Sequence, residues 1–272
     1  MSTDLLSLQN LPESKDSGKM PTLFIGHGSP MNAIEENKYH TSWVALGKQL
    51  PKPNAILSIS AHWITNGSTR VTVMDKPKTI HDFGGFPDEL FRQQYPAKGS
   101  PILAKKTIEM VSNPAIQPDM EWGLDHGTWS VLLPMYPNAD IPVYQLSIDY
   151  SRPMKYHYDL ASQLKTLRNK GVLIMGSGNI VHNLGAMNYT NNVYDWAQEF
   201  DSKIKDYIDS SDHDGIINFQ KLGSMANLAH PSYDHFIPLI YIIALQNKNE
   251  RVRYFNESFD LGSISMRSMI IE

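Results

Sequence analysis

The sequence predicts a single α/β domain in which helices cover a central mixed β-sheet. Short runs rich in β-branched and aliphatic residues alternate with longer amphipathic segments along the 272 residues, and this alternation is typical of layered α/β folds. Hydrophobic residues make up 41% of the chain, which is enough for a sizeable core. Because no internal repeat, low-complexity tract or linker-like stretch divides it, we expect one domain over residues 21–272, preceded by a loose leader over residues 1–20.

The same alternation gives the individual elements. We expect strands at 23–25, 55–60, 69–74, 143–148, 172–175, 252–255 and 264–271, the last two as antiparallel additions to the sheet. We expect helices at 38–49, 89–94, 101–111, 128–135, 154–169, 194–210, 215–222 and 233–246. Ser100 before Pro101 is a recognised helix start, and Gly171 is placed to end the helix before it.

Composition excludes several classes of function. A net charge of −4 leaves no basic face for nucleic acid or anionic lipid. The absence of cysteine excludes disulfides, thiolate zinc sites, iron–sulfur clusters and a cysteine nucleophile. The first twenty residues contain no apolar region of the kind found in signal peptides, and the longest apolar stretch, at 236–245, is too short to span a bilayer. We therefore expect a cytoplasmic protein.

Four histidines stand where such a fold exposes chemistry. His27 and His62 each end an apolar run, His182 follows a third run, and His235 precedes another. Ligands of open α/β sheets collect at the carboxyl ends of the strands, and neutral imidazole is the commonest side-chain metal ligand near neutral pH. These positions predict a metal site.

Each histidine has a structural alternative. The glycines on either side of His27 permit a tight turn, and His62 lies at a strand end beside Trp63, so in both cases we favour a metal ligand over a core residue. The compact turn 176–179 could present His182 to the same cleft.

The sequence assigns the roles of the remaining histidines less clearly. His126, near a helix start, would face the mouth of the site, and at most one of His230 and His235 should reach a common metal because they are five residues apart. For His126 and His235, a structural role stays open. We expect His40, His157 and His213 on the solvated surface, and His81 stays unassigned.

The loop at 76–87 contains two adjacent glycines between two phenylalanines. Long loops in compact domains are often functional, so this segment could close on an apolar or aromatic ligand. The alternative is an ordinary connection whose aromatic side chains fill the core.

Five blocks of this chain together resemble the class III extradiol ring-cleavage dioxygenases, and most closely the DOPA 4,5-dioxygenase branch in its bacterial form. The blocks carry His27 (IGHGSPM), His62 (SISAHW), His126 (LDHGTW), His182 (GSGNIVHNL) and His235 (HPSYDHFIPL), and the resemblance extends from residue 21 to the end. By contrast, the nucleophile elbow of α/β-hydrolases and the HExxH zinc motif are absent from the sequence.

The resemblance implies an α/β sandwich, a mononuclear non-haem Fe(II) site, a catecholic substrate and O₂ as co-substrate. It assigns His27, His62 and His235 as metal ligands and His182 as the acid/base histidine, which some descriptions of the branch also place around the metal. His126 matches a histidine that either faces the substrate or supports the metal ligands from behind, and we count it with His182 among the catalytic residues.

One departure from better-known relatives matters. Their ligand set is completed by glutamate, whereas here the third position is His235, with Asp234 as the adjacent carboxylate. A site of three neutral histidines would also accept Zn²⁺, which binds more strongly than Fe²⁺. We expect one divalent metal, Fe(II) for activity, with Zn(II) possible in the protein as isolated.

Two other functions stay open at this point. A zinc hydrolase could use metal-bound hydroxide, although no glutamate stands beside a ligand to serve as base. A non-catalytic binding protein could keep the same site without turnover. The physiological catechol and the oligomeric state cannot be read from the sequence.

Overall fold

A mixed eight-stranded sheet with helices on both faces forms the centre of the molecule, as predicted. The computed structural model describes residues 19–190 and 192–272. The strands are β1 (Thr22–Gly26), β2 (Ala55–Thr65), β3 (Thr69–Thr72), β4 (Lys78–Thr79), β5 (Ile116–Asp119), β6 (Gly123–Leu124), β7 (Val143–Asp149), β8 (Val172–Gly178), β9 (Val252–Phe255), β10 (Phe259–Asp260), β11 (Ile264–Ser265) and β12 (Ser268–Ile271). The α-helices are α1 (Lys38–Gln49), α2 (Asp88–Phe91), α3 (Pro101–Met110), α4 (His126–Met135), α5 (Met154–Ser162), α6 (Asp195–Asp209), α7 (His213–Ile217), α8 (Ser224–Ala229) and α9 (Ile237–Ala244).

Four parallel strands form the middle of the sheet. The order is β5-β3-β7-β2-β8-β1-β12-β9, and β7, β2, β8 and β1 run parallel to one another. At one side β12 pairs antiparallel with β1 and β9 pairs antiparallel with β12, as expected for the end of the chain. At the other side β3 pairs antiparallel with β7. The carboxyl ends of the four parallel strands therefore lie along one edge, where ligand sites form in such sheets.

Both faces of the sheet are buried. Along β8, Val172 and Ile174 belong to one hydrophobic cluster, and Leu173 and Met175 belong to the other. Helices α5, α6 and α9 cover the first face, and α1 and α4 cover the second. A strand buried on both faces reads as a continuous apolar run, which is why the parallel strands were recognisable from the sequence.

Two strands differ from the prediction because their neighbours change along their length. Strand β2 continues to Thr65, since its register with β7 shifts between Ile59 and Ile64 in a bulge that keeps the chain extended. The predicted strand 264–271 is two strands, because β11 pairs with β10 while β12 pairs with β1. Strand β5 was missed, because its sequence, IQPD, is polar at an edge where strands can tolerate proline.

Helix boundaries differ mainly at prolines and short turns. The predicted helix 233–246 begins only at Ile237, because Pro238 fits the first turn of a helix but not its interior. The predicted helix 154–169 ends at Ser162 and is followed by a 3₁₀ segment, Lys165–Lys170. Ser100 occupies the N-cap position without a side-chain capping bond, and Gly171 has the expected left-handed conformation at φ 74°.

Several short elements also differ from the prediction, and strands β4, β6 and β10 were not predicted. The predicted helix 215–222 is two short helices, His213–Ile217 and Phe219–Leu222, and α8 was not predicted.

The beginning of the described chain is fixed to the body of the molecule. Residues 1–18 of the expected leader lie outside the described residues. Met20 is buried, its backbone N–H donates to the carbonyl of Arg168, and its own carbonyl accepts from Arg168 Nε at 2.7 Å. Within the described part of the chain, no helix combines the length and apolar character needed to cross a bilayer.

His157 corrects one prediction. It was expected on the surface with His40 and His213, but it is fully buried in α5, where Nδ1 lies 3.1 Å from the hydroxyl of Tyr241. His40 and His213 are only half-buried. Burial lowers the pKa of His157 to about 4, so this imidazole is neutral in the folded protein at pH 7.

We expect His157 to weaken the fold in mild acid. Its folded pKa of about 4 lies below the ordinary value of 6.5, so the unfolded chain binds the extra proton between these values. The stability is therefore complete above pH 6.5 and is lost as the pH falls toward 4, by up to about 1.4 kcal/mol per pH unit for one group. Urea unfolding of the metal-free protein and of His157→Gln at pH 7, 6 and 5 measures this loss.

Other buried histidines titrate in both proteins, so the difference between the two pH dependences is due to His157 alone. The free energy of unfolding of His157→Gln should fall less steeply with decreasing pH. Parallel curves for the two proteins would show that His157 does not carry the predicted pKa.

Candidate functional site

His27 is held at the end of β1 in a defined tautomer. Its Nδ1 lies 2.9 Å from Ser177 Oγ, and Ser177 Oγ donates its own proton to the carbonyl of Gly127 at 2.5 Å. Ser177 must therefore accept from His27, which fixes the proton on Nδ1 and leaves Nε2 with a free lone pair. Gly28 follows with φ 56°, a left-handed conformation that favours glycine, as the predicted tight turn requires.

His62 meets His27 from the bulged part of β2. The two Nε2 atoms are 3.1 Å apart, and His62 Nδ1 lies 3.3 Å from a carboxylate oxygen of Asp82. If Asp82 holds the proton on Nδ1, the Nε2 lone pairs of His27 and His62 face each other. Two nitrogens bound at about 2.1 Å to one ion would be separated by roughly 3 Å, so the spacing fits a shared cation.

His235 approaches the same point because Gly178, at the end of β8, has no side chain. A Cβ on Gly178 would lie 2.2 Å from the carbonyl oxygen of His235, and this carbonyl accepts a hydrogen bond from Asn179 N at 2.9 Å. His235 Nδ1 lies 2.7 Å from Asp234, which again directs the proton to Nδ1 and frees Nε2. One ligand atom from each of His27, His62 and His235 lies within 4.8 Å of the others.

Burial keeps these three imidazoles in the form that binds metal. It lowers the pKa of His27 and His235 well below 6.5, and the neighbouring histidines add to this effect. Burial, together with His126, lowers the pKa of His62 to about 3 against the opposing charge of Asp82. All three are neutral at pH 7, and a neutral imidazole is the metal-binding species. The residues present can therefore hold a divalent metal ion.

Asp82 joins the predicted loop at 76–87 to two histidines of the site. Its Oδ1 accepts from the backbone N–H of His126 at 2.9 Å, and its Oδ2 lies 3.0 Å from His126 Nδ1. Burial alone would raise the pKa of Asp82, but hydrogen bonding from His126 and attraction to both histidines bring it below its usual range. A charged Asp82 can orient His62 and His126, whose ring centroids are 3.8 Å apart.

His126 itself starts α4, two residues earlier than predicted. Asp125 is its N-cap and accepts a hydrogen bond from Thr128 N. Asp125 therefore fixes the start of this helix at His126.

His182 lies beside His235 and outside the group of three. The two rings stack with centroids 3.5 Å apart at an angle of 3°. Burial lowers the pKa of His182 to about 4, so the ring is neutral at pH 7 and one of its two nitrogens keeps a free lone pair. The structure thus brings His182 to the edge of the candidate metal site without placing it in the same cluster of ligand atoms.

A cavity of about 470 Å³ opens onto these histidines. It presents five imidazoles together with apolar and aromatic side chains, which suits a flat aromatic ligand that carries polar groups at one end. It is lined by His27, Gly28, Ser29, Pro30, His62, Asp82, Phe83, Gly84, Phe86, His126, His182, Leu184, Met187, Tyr189, His235, Asp260, Leu261 and Ile264.

The loop at 76–87 has features of both interpretations drawn from the sequence. Phe83 and Phe86 line the cavity and also pack against the second hydrophobic cluster. His81, from the same loop, contacts the carbonyl of Gln93 through Nε2 at 3.0 Å and packs edge-on against Trp129, which is a structural role.

His230 has a structural role, consistent with the expectation that only one histidine of its pair reaches the site. It is buried, and its Nε2 donates to the carbonyl of Ile180 at 2.7 Å.

The sequence did not single out Asp82 or Ser177 as parts of the site. Asp82 stands inside the loop noted for its glycines and phenylalanines. Ser177 stands in the glycine-rich segment 176–179, which was expected to be a compact turn, but residues 176–178 continue strand β8 because they pair with β1 and β2. A carboxylate or hydroxyl close to histidines at strand ends is the available signal, because imidazoles that bind metal are commonly oriented by such a group.

Comparisons with known proteins place the chain in a family. Residues 21–264 match the family model described as the catalytic LigB subunit of aromatic ring-opening dioxygenase. A protein of Escherichia coli K12 named 4,5-DOPA dioxygenase extradiol is 42% identical over 94% of this chain and 96% of its own length. A protein of the same name from Beta vulgaris is 36% identical over 91% of this chain and 94% of its own length.

A solved structure agrees with these sequence matches. The crystal structure of an uncharacterized protein from Escherichia coli K12 superposes with a TM-score of 0.81 at 38% identity, and it covers 93% of this chain and 100% of that one. These matches confirm the prediction of a ring-cleavage dioxygenase and argue against the zinc hydrolase and the non-catalytic binding protein. The chain belongs to the LigB family of aromatic ring-opening dioxygenases.

Proposed function

We propose that the protein cleaves a DOPA-like catechol with O₂, using Fe(II) held by His27, His62 and His235. The observation that carries this proposal is the cluster of three neutral imidazoles within 4.8 Å at the base of the cavity. Relatives named 4,5-DOPA dioxygenase extradiol supply the class of substrate. The product is a semialdehyde of the muconic type, formed by opening the ring beside the two hydroxyls.

Iron is required because catechol and ground-state O₂ differ in spin and do not react directly. Bound Fe(II) would supply a redox-active centre for both, whereas zinc has no accessible redox couple. Three neutral histidines would bring no negative charge to the ion, so its positive charge would remain available to attract an anionic catechol. The cavity, with its apolar side chains, orients the aromatic ring and excludes water.

His182 is the proposed acid/base group. Its pKa of about 4 leaves it neutral at pH 7, so it can take the proton of a catechol hydroxyl as the substrate binds. It would return that proton as the O–O bond is broken. Its stacking against His235, outside the cluster of three ligand atoms, supports this role.

His126 is the proposed second catalytic histidine. Asp82 lies against its Nδ1 and its backbone N–H, which fixes the ring at the cavity wall. With the ring proton on Nδ1 beside Asp82, Nε2 of His126 can accept a hydrogen bond from a substrate hydroxyl.

The cytoplasmic location favoured by the cysteine-free sequence remains a prediction alongside this function.

We expect alanine at His27, His62 or His235 to remove the metal. Each imidazole supplies one of three ligand atoms, and two ligands cannot keep an exposed divalent ion at neutral pH against competing chelators. Metal content per chain after equilibration with dilute chelator measures the loss. His230→Gln is the matched control, because His230 is buried near the site and bonds the carbonyl of Ile180. A variant of the three that keeps full metal content would remove that histidine from the ligand set.

Iron and zinc should give opposite results in the same protein. Metal-free protein reconstituted anaerobically with Fe(II) should produce the yellow semialdehyde from DOPA once O₂ is admitted. Zinc should bind to the same stoichiometry and give no ring cleavage, because it cannot pass an electron to O₂. Full turnover by rigorously iron-free zinc protein would contradict the proposal.

His182→Ala should keep the metal and lose ring cleavage. A proton-transfer role is typically worth about 10²–10⁴ in rate. Metal content and turnover should be measured on the same preparation. If the ion is lost together with activity, His182 is a ligand and the acid/base assignment is wrong.

A further inference from the structure

Asp260 is a carboxylate of the cavity for which the proposed chemistry has no use. It lies in β10, directly opposite Ile264 of β11, and Ile264 in turn pairs with His182. Neighbouring strands place such partners about 5 Å apart, so Asp260 is roughly 10 Å from His182 between Cα atoms. All three residues line the cavity. A substrate whose ring is bound beside His182 could therefore reach Asp260 with a short side chain.

Apart from histidines, the ionisable side chains of the cavity wall are mainly acidic. Its lining includes two acidic residues, Asp82 and Asp260, and neither lysine nor arginine occurs among the described residues that line it. Asp82 is engaged by His62 and His126. Asp260 is only half-buried and has no salt bridge or hydrogen bond from its carboxylate within the described chain. A negative group is thus left free to meet the ligand.

We infer that Asp260 selects catechols whose side chain carries an ammonium group over neutral catechols and over catechols with only a carboxylate. This inference rests on the proposed function and names the class of substrate for the same site. With the hydroxyls at the histidines, the ammonium group reaches Asp260, and the attraction is strengthened by the apolar wall formed by Leu261 and Ile264. An anionic side chain would meet Asp260 without a compensating cation.

The side chain of DOPA carries an ammonium group and a carboxylate, and these two groups meet different parts of the cavity. Its ammonium group pairs with Asp260, while its carboxylate turns toward the mouth, where Tyr189 is 81% exposed and water is available. The protein should therefore prefer both DOPA and dopamine, since both carry the ammonium group.

The test compares three catechols that differ in charge at the same position: dopamine, 4-ethylcatechol and 3-(3,4-dihydroxyphenyl)propionate. With iron-loaded protein, kcat/KM should be about tenfold higher for dopamine than for 4-ethylcatechol, equivalent to about 1.4 kcal/mol. It should be lowest for the propionate. High salt should reduce these differences, because a half-exposed ion pair is screened.

Variants assign the preference to one residue. Asp260→Asn should remove most of the preference by lowering kcat/KM for dopamine and raising it for the propionate, with 4-ethylcatechol nearly unchanged. Asp260→Glu keeps the charge and should retain the preference. Asp140→Asn is the control, because Asp140 is an exposed acid paired with Lys52 outside the cavity. Equal rates for the three catechols, or a preference that survives in Asp260→Asn, would overturn the inference.

Anaerobic titration calorimetry of the iron-loaded protein separates this inference from the proposed function. Without O₂ no ring is cleaved, so the affinities for dopamine and the propionate report recognition alone. If no catechol is cleaved in air but the binding preference is present and is lost in Asp260→Asn, the proposed function fails and the inference stands. If catechols are cleaved but calorimetry shows no preference, the inference fails and the proposed function stands.

Discussion

The site depends on keeping three imidazoles neutral while one nitrogen of each lies within 4.8 Å of the others. Lone pairs of His27 and His62 at 3.1 Å repel unless a cation or a proton lies between them. Ser177 and Asp234 hydrogen-bond the Nδ1 atoms of His27 and His235, and the Asp82 carboxylate lies 3.3 Å from Nδ1 of His62, so these partners favour protons on the far side of the rings. Burial opposes any further proton. These contacts make the cluster suited to a divalent metal.

The sheet provides the rigidity that such a cluster needs. Strands β1, β2 and β8 are buried on both faces, and β1 and β2 are each hydrogen-bonded to β8 between them, so their ends hold fixed relative positions. Gly178 lets the backbone of His235 lie directly on the end of β8. Local features supply the rest, namely the bulge that carries His62 and the proline that delays α9 until after His235. Side chains from separate parts of the chain thereby reach one point.

Much of this arrangement could be predicted from the sequence, because its signals are local. Continuous apolar runs marked the parallel strands, and the histidines after them marked the edge of the sheet where they meet. The acidic and hydroxyl partners could not be predicted in the same way. Asp82 and Ser177 bond histidines 44 and 150 residues away, counted from Asp82 to His126 and from Ser177 to His27, and no periodic pattern carries that information. The burial of His157 was missed for the same reason, since Tyr241 is distant in sequence.

The most direct test of the central claim is the position of a bound ion. Crystals of the iron-loaded protein, measured on both sides of the iron absorption edge, should give one anomalous peak at the base of the cavity. Nε2 of His27, His62 and His235 should each lie about 2.0–2.3 Å from it, close to the distances known for imidazole ligands. An ion bound through Nδ1, or one that leaves any of the three rings beyond about 3 Å, would contradict the account.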